Sequence, residues 1–199
     1  MKTIAALLLT AAIAAPALAL DVIEPRTGLK FAAKTGEMSL LGVGLRTRYI
    51  INAKVYAIGL YVSDQALAGP LATFKGKTSS PEFYNALIWG DFPKQVTLKF
   101  TRDLGQQKIQ DAMRESLAGG DPKLLDTFVS YFPELKTGQE CVIRWAPGGV
   151  LETTMAGQAK PPIADKNFAA TVFGAWLREK PIQEDIKLGL VSRAGQLIK

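Results

Sequence analysis

The stretch GVGLRTRYIINAKVYAIGLY, from Gly42 to Tyr61, decides how this chain folds. Its many β-branched and aromatic residues predict a hydrophobic β-hairpin. Arg46 lies among apolar neighbours in the first strand, and Tyr56 follows in the second. A guanidinium stays charged in a protein, so holding it beside a core is costly unless an anion or several acceptors meet it. Either the fold or a ligand must supply that partner.

The first residues, MKTIAALLLTAAIAAPALAL, have the pattern of a secretory signal peptide. A lysine precedes an apolar core, and Ala17-Leu18-Ala19 gives a small-x-small cleavage pattern. We therefore expect residues 1–19 to be removed and residues 20–199 to form a single exported domain, periplasmic or secreted. No later run reaches the roughly 18 uncharged apolar residues of a transmembrane segment.

The composition argues against several kinds of chemistry. The chain has no histidine, which removes Ser-His-Asp and Cys-His catalysis and the common imidazole metal sites. Its single cysteine, Cys141, lies in the strand-like run ECVIRW and is interpreted as a buried, inert thiol. We therefore expect no metal. We also expect no cofactor, since GVGLRTR lacks the third glycine and following helix of a dinucleotide loop. The net charge of +6 is scattered, so nucleic acid is not an expected partner.

The order of the predicted elements indicates an α+β fold. Strands are predicted at Gly28–Phe31, Met38–Arg46, Lys54–Val62, Gln95–Thr101, Gly138–Ala146 and Val150–Met155. Helices are predicted at Asp64–Leu67, from Ser80 through Ile88, at Gly105–Leu117, between Asp121 and Pro133, and at Asp165–Glu179 and Glu184–Val191. Paired strands with clustered helices argue for helices laid on one face of a mostly antiparallel sheet.

Several segments, taken in order, resemble one family. GVGLR, then KVYAIGLYV, then late in the chain WLREKP followed by DIKLGL, look like the chalcone isomerase-like proteins. These include plant chalcone isomerases, plastid fatty-acid-binding proteins and a bacterial exported branch that the signal peptide suits best. The resemblance spans nearly the whole mature chain. It implies an open-faced β-sandwich, a large antiparallel sheet covered by helices with the ligand cleft between them.

Three residues are candidates for ligand binding, and the resemblance implies the first two. Arg46 corresponds to the arginine of the family's G-x-G-x-R motif, which faces the cleft and meets the ligand's anionic group. Tyr56 stands where the fatty-acid binders have a tyrosine that assists this arginine, and where true isomerases have a threonine. Lys108, on the helix predicted from Gly105, would add a second positive group at the cleft mouth.

Other residues that isomerases use are replaced. Their Tyr and Asn on the helix from Gly105 align with Lys108 and Glu115, and their late-helix Thr aligns with Ala175. Stabilising an enolate-like transition state needs a network of hydrogen bonds. The resemblance therefore favours a non-catalytic member over an isomerase.

Three functions follow from these observations. The first is an exported, non-catalytic binder of a small amphipathic carboxylate such as a fatty acid, with Arg46 and Tyr56 on the carboxylate. The second is an isomerase or intramolecular lyase for a phenolic or enone substrate. The third is a protein-interaction module with a closed cleft, in which backbone carbonyls or Glu115 satisfy Arg46.

Four aromatic residues either line a lipid tunnel or pack in the core: Phe128, Phe132, Phe173 and Trp176.

Overall fold

The computed structural model describes residues 20–48 and 53–199, and the predicted signal peptide lies outside these ranges. The strands are β1 (Val22–Ile23), β2 (Lys30–Phe31), β3 (Lys34–Thr35), β4 (Met38–Arg48), β5 (Ala53–Ser63), β6 (Lys94–Phe100), β7 (Glu140–Ala146), β8 (Val150–Met155) and β9 (Gln158–Ala164). The helices are α1 (Asp64–Ala68), α2 (Pro81–Trp89), α3 (Gln106–Ser116), α4 (Pro122–Ser130), α5 (Lys166–Leu177), α6 (Glu184–Leu190) and α7 (Ala194–Leu197), with a 3₁₀ turn at Ala72–Phe74.

Strands β3 to β9 form a seven-stranded sheet in sequence order, and every neighbouring pair is antiparallel. Side chains alternate between its two faces. On one face, Ile58 and Leu98 pack with helix residues such as Phe173 in the main core. On the other, a smaller cluster includes Phe31 and Tyr61, beside the two-stranded ribbon of β1 and β2. This arrangement confirms the predicted α+β architecture, with a large antiparallel sheet covered by helices.

The glycines of the GVG motif allow α6 to lie directly on β4. A Cβ atom built at Gly42 would lie 2.1 Å from the carbonyl oxygen of Gly189 on α6. A Cβ atom at Gly189 would lie 2.4 Å from the carbonyl oxygen of Val43. These distances leave no room for any side chain. This close contact between α6 and β4 therefore places the segment just before α6 beside Arg46.

The two predicted strands of the hairpin are confirmed, with β4 and β5 antiparallel and Arg46 directly opposite Tyr56, while residues 49–52 between them lie outside the described ranges. The last strand of the sheet, β9, was not predicted from the sequence. It contains Pro161 and Pro162, and proline cannot donate a ladder hydrogen bond, which argues against a strand. Because β9 pairs only with β8, at the edge of the sheet, proline is tolerated there. The short helix α7 was also missed.

Candidate ligand-binding site

A cavity of about 300 Å³ lies beside Arg46, at the end of the sheet where β4, β5 and β6 meet helix α3. This volume is at the lower end of the ~300–1,000 Å³ range of small-molecule sites. The cavity is lined by Arg46, Arg48, Ala53, Val55, Tyr56, Phe100, Arg102, Asp103, Leu104, Gly105, Lys108, Ile109, Ala112, Met113, Glu115, Ser116 and Ile182. All three residues predicted to bind a ligand are therefore brought to one cavity.

A row of three side chains crosses the strands beneath the cavity. Arg46 is paired with Tyr56, and Tyr56 is paired with Phe100. Directly opposed residues share one face of a sheet. The rings of Tyr56 and Phe100 meet edge to face, with their centroids 5.7 Å apart. The row therefore places a cation, a hydroxyl and an apolar ring side by side.

Arg46 is half-buried. The segment before α6 supplies two hydrogen-bond acceptors to it. Its Nη1 donates to the carbonyl oxygen of Ile182 and to Oε1 of Gln183, both at 3.3 Å. Neither acceptor carries a full negative charge. Glu115 lines the same cavity, but the described residues form no ion pair with Arg46 within 4.0 Å. Arg46 is thus positioned by the fold without being neutralised by it.

Tyr56 is 5% exposed, and its hydroxyl is buried rather than at the protein surface. The hydroxyl accepts a hydrogen bond from Nε1 of Trp176 at 3.1 Å. Burial raises the pKa of Tyr56, while the bond from Trp176 and the charge of Arg46 oppose this in part. The hydroxyl therefore stays protonated at neutral pH, and its own proton remains available for donation.

Two cations that sequence analysis did not single out also line the cavity, Arg48 and Arg102. Both are exposed, as is Lys108 on α3. Arg48 follows Arg46 by two residues in β4, and that spacing in GLRTR predicts side chains on one face of a strand. No comparable signal marks Arg102, because its place depends on where β6 ends.

The remaining residues considered from the sequence lie away from the cavity lining. Ala175 is 1% exposed on α5. Cys141 is buried in β7, and burial raises the pKa of its thiol to about 11, which agrees with an inert thiol. The four aromatic residues considered as a tunnel are at most 2% exposed and pack in the main core: Phe128, Phe132, Phe173 and Trp176.

The described part of the chain contains no cluster of three or more Cys, Asp or Glu side chains suited to holding a metal ion. None of its helices combines the length and apolar character needed to cross a bilayer.

An antiparallel sheet covered by helices defines the fold class as an open-faced β-sandwich, and a cavity lined by cations lies at one end of this sheet. A family model described as chalcone isomerase-like matches residues 28–192. The chain belongs to this family.

Curated relatives include both binding proteins and enzymes. The chain is 26% identical to fatty-acid-binding protein 1 of Arabidopsis thaliana, over 89% of this chain and 71% of the relative. It is 28% identical to chalcone isomerase-like protein 1 of Humulus lupulus, over 79% and 82%. A chalcone–flavanone isomerase of Phaseolus vulgaris is 26% identical, over 70% and 74%.

A solved structure supports the same fold assignment. The crystal structure of a fatty-acid-binding protein from Arabidopsis thaliana superposes with a TM-score of 0.78, over 90% of this chain and 99% of the other. The two sequences are 22% identical, so this likeness concerns the fold alone. Because the family holds both binders and isomerases, the residues of the cavity must decide between them.

Proposed function

We propose that this protein is an exported, non-catalytic binding protein for a small amphipathic carboxylate such as a fatty acid. In this proposal Arg46 pairs with the carboxylate, Tyr56 donates a second hydrogen bond, and Lys108 adds positive charge at the mouth of the cavity. The observation that carries the proposal is the pairing of Arg46 with Tyr56 beside a cavity of about 300 Å³.

The lining suits an amphipathic ligand. Arg46 lacks a carboxylate partner among the described residues, so its free N–H groups are available to an anion. Beside it, the lining contains apolar side chains that would contact an acyl chain: Val55, Phe100, Leu104, Ile109 and Met113. Hydrogen bonds to charged groups contribute about 1.5–3 kcal/mol each. One such bond corresponds to roughly ten- to a hundredfold in affinity.

The similarity to a fatty-acid-binding protein of Arabidopsis thaliana supports this choice of ligand. The cavity residues favour binding over isomerisation. The resemblance implies that the Tyr, Asn and Thr positions of isomerases correspond to Lys108, Glu115 and Ala175, and Ala175 is not among the residues that line the cavity. The raised pKa of Tyr56 also makes its hydroxyl a poor general base at neutral pH. A cavity beside Arg46 likewise favours a ligand over a closed interaction module.

Export is proposed from the sequence of residues 1–19 alone. The periplasm or the medium would then be the compartment in which the ligand is met. The mass of the protein recovered from that compartment tests this, because cleavage after Ala19 leaves a chain that begins at Leu20.

Native mass spectrometry of the exported protein, followed by denaturing extraction, tests the ligand. We expect a fatty acid to accompany the wild type and to be lost in Arg46→Ala. Arg144→Ala is the matched control, since Arg144 is exposed on β7, pairs with Glu152 and does not line the cavity. A chain that takes up no fatty acid when challenged, or that cyclises chalcones well above the spontaneous rate, would contradict the proposal.

A further inference from the structure

The cavity carries more positive charge than a single carboxylate needs. Four cations are among the described residues that line it: Arg46, Arg48, Arg102 and Lys108. Arg46 is half-buried, whereas the other three are exposed. We name those three exposed cations the rim.

The rim lies at the open end of the sheet, beyond the row that holds Arg46. Arg48 is paired with Ala53 at the hairpin end of β4 and β5. Arg102 follows Thr101, whose N–H donates to the carbonyl oxygen of Val55 at 3.1 Å. The rim arginines therefore flank the start of β5 on either side. Two residues along a strand span about 6.6 Å, so a head group seated at Arg46 also lies within reach of the rim.

Neither Asp103 nor Glu115, the acids among the described lining residues, forms an ion pair with these cations within 4.0 Å. Asp103 accepts hydrogen bonds from the backbone N–H and the hydroxyl of Thr137, at 2.8 Å and 3.0 Å. Its other carboxylate oxygen lies 3.5 Å from Nζ of Lys136. Asp103 is thus already paired outside the cavity. Glu115 is the other acid of the lining, and it forms no ion pair within 4.0 Å among the described residues.

We infer that the site selects amphipathic ligands whose head group carries two negative charges, such as an alkyl phosphate, over ligands with one. This inference rests on the proposed function, because it places the ligand in the same cavity. Arg46 meets one charge, and the rim of Arg48, Arg102 and Lys108 meets the second. A monocarboxylate leaves the rim unpaired.

Decyl phosphate and decyl sulfate form a matched pair for the test, because they share chain length and a tetrahedral head. The second pKa of a phosphate monoester is near 6, so decyl phosphate is a dianion at pH 8 and mainly a monoanion at pH 5. Decyl sulfate is a monoanion at both. Their dissociation constants are measured by titration calorimetry below the micellar concentration. We expect decyl phosphate to bind about tenfold more tightly at pH 8, and the two to bind alike at pH 5.

Variants locate the second charge. The preference at pH 8 should fall to near one in Arg48→Gln/Arg102→Gln and persist in Lys75→Gln/Lys77→Gln. The latter pair removes the same charge from exposed positions outside the lining. Equal affinities at pH 8, or a preference that survives Arg48→Gln/Arg102→Gln, overturn the inference.

Decanoate keeps this test separate from the test of the proposed function. Binding of decanoate without any preference for decyl phosphate supports the proposed function and overturns the inference. Binding of decyl phosphate alone supports a dianion site and contradicts the fatty-acid proposal.

Discussion

The buried amide of Gln183 holds Arg46 against the edge of the sheet. Oε1 of Gln183 accepts from Nη1 of Arg46 at 3.3 Å and from the backbone N–H of Thr47 at 3.1 Å. Its Nε2 donates to the carbonyl oxygen of Leu45 at 3.3 Å. Gln183 is 6% exposed and immediately precedes α6. One side chain thus bonds to backbone groups on the edge of β4, at Leu45 and Thr47, and positions Arg46.

Replacing Gln183 should weaken ligand binding without any change in the residues proposed to touch the ligand. Gln183→Glu places a carboxylate against Arg46, where it competes with a bound anion. We expect affinity for decanoate to fall about tenfold or more. Gln158→Glu, at an exposed position on β9, adds the same charge away from the cavity. Equal affinity in Gln183→Glu and Gln158→Glu, measured by calorimetry, would show that Gln183 does not act on the site.

The close approach of β4 and α6 predicts a sharp difference between two glycines. In Gly189→Ala the new methyl group would lie 2.4 Å from the carbonyl oxygen of Val43. The backbones must then separate, which we expect to lower the free energy of unfolding by about 1–3 kcal/mol. At Gly174, within α5, an added Cβ would have no atom of the other described residues within 4 Å, apart from the helix's own neighbouring residues, and alanine is the better helix former. Urea unfolding should show Gly174→Ala at least as stable as wild type, and comparable losses in both variants would contradict this account.

The sequence predicted the hairpin because its signals are local. The β-branched and aromatic residues between Gly42 and Tyr61 predict β4 and β5 without knowledge of the rest of the chain. It also marked Arg46, since a charge among apolar residues needs a partner. It could not identify Gln183 as a partner of Arg46, because 137 positions in the sequence separate the two residues and only packing brings them together. The same holds for Arg102, which lines the cavity because β6 ends just before it.

The Tyr56–Trp176 bond predicts a coupled effect on ligand binding. Tyr56→Phe removes the proposed donor to the ligand and leaves Nε1 of Trp176 buried without its acceptor, at a cost of about 1–3 kcal/mol of stability. Trp176→Phe keeps the hydroxyl but removes the bond that orients it. Because Trp176 bonds to the Tyr56 hydroxyl and does not line the cavity, the double variant should bind decanoate no more weakly than Tyr56→Phe alone. Additive losses in a double-mutant cycle would instead assign the two residues independent roles.

Lys94 gives the fold a pH dependence that is independent of the cavity. It begins β6 and is 0% exposed. Its Nζ donates to the carbonyl oxygens of Ile88 and Gly90, at 3.0 Å and 2.8 Å, and lies 3.7 Å from the centroid of the Trp145 ring. Burial lowers the pKa of Lys94 to about 7, while Asp91 opposes the shift and Lys166 adds to it.

The sign of the effect follows from the two pKa values. An unfolded lysine titrates near 10.4, so between about pH 7 and pH 10 the unfolded chain holds a proton that the folded chain has released. Stability therefore rises with pH across this window, by up to about 1.4 kcal/mol per pH unit. Burial raises the pKa of Cys141 to about 11 and of Tyr61 to about 12. Because these groups ionise at lower pH in the unfolded chain than in the folded chain, they lower stability at higher pH. The effect of Lys94 is therefore best measured between pH 7 and pH 9.

Lys94→Met isolates this contribution, because methionine fills the same space without a titrating group. In urea unfolding at pH 7, 8 and 9, the free energy of unfolding of the wild type should increase relative to that of Lys94→Met as the pH rises. The lost hydrogen bonds to Ile88 and Gly90 give only a constant offset between the two curves. Parallel curves across this range would mean that Lys94 stays charged in the folded protein, held by the two carbonyl oxygens and the Trp145 ring.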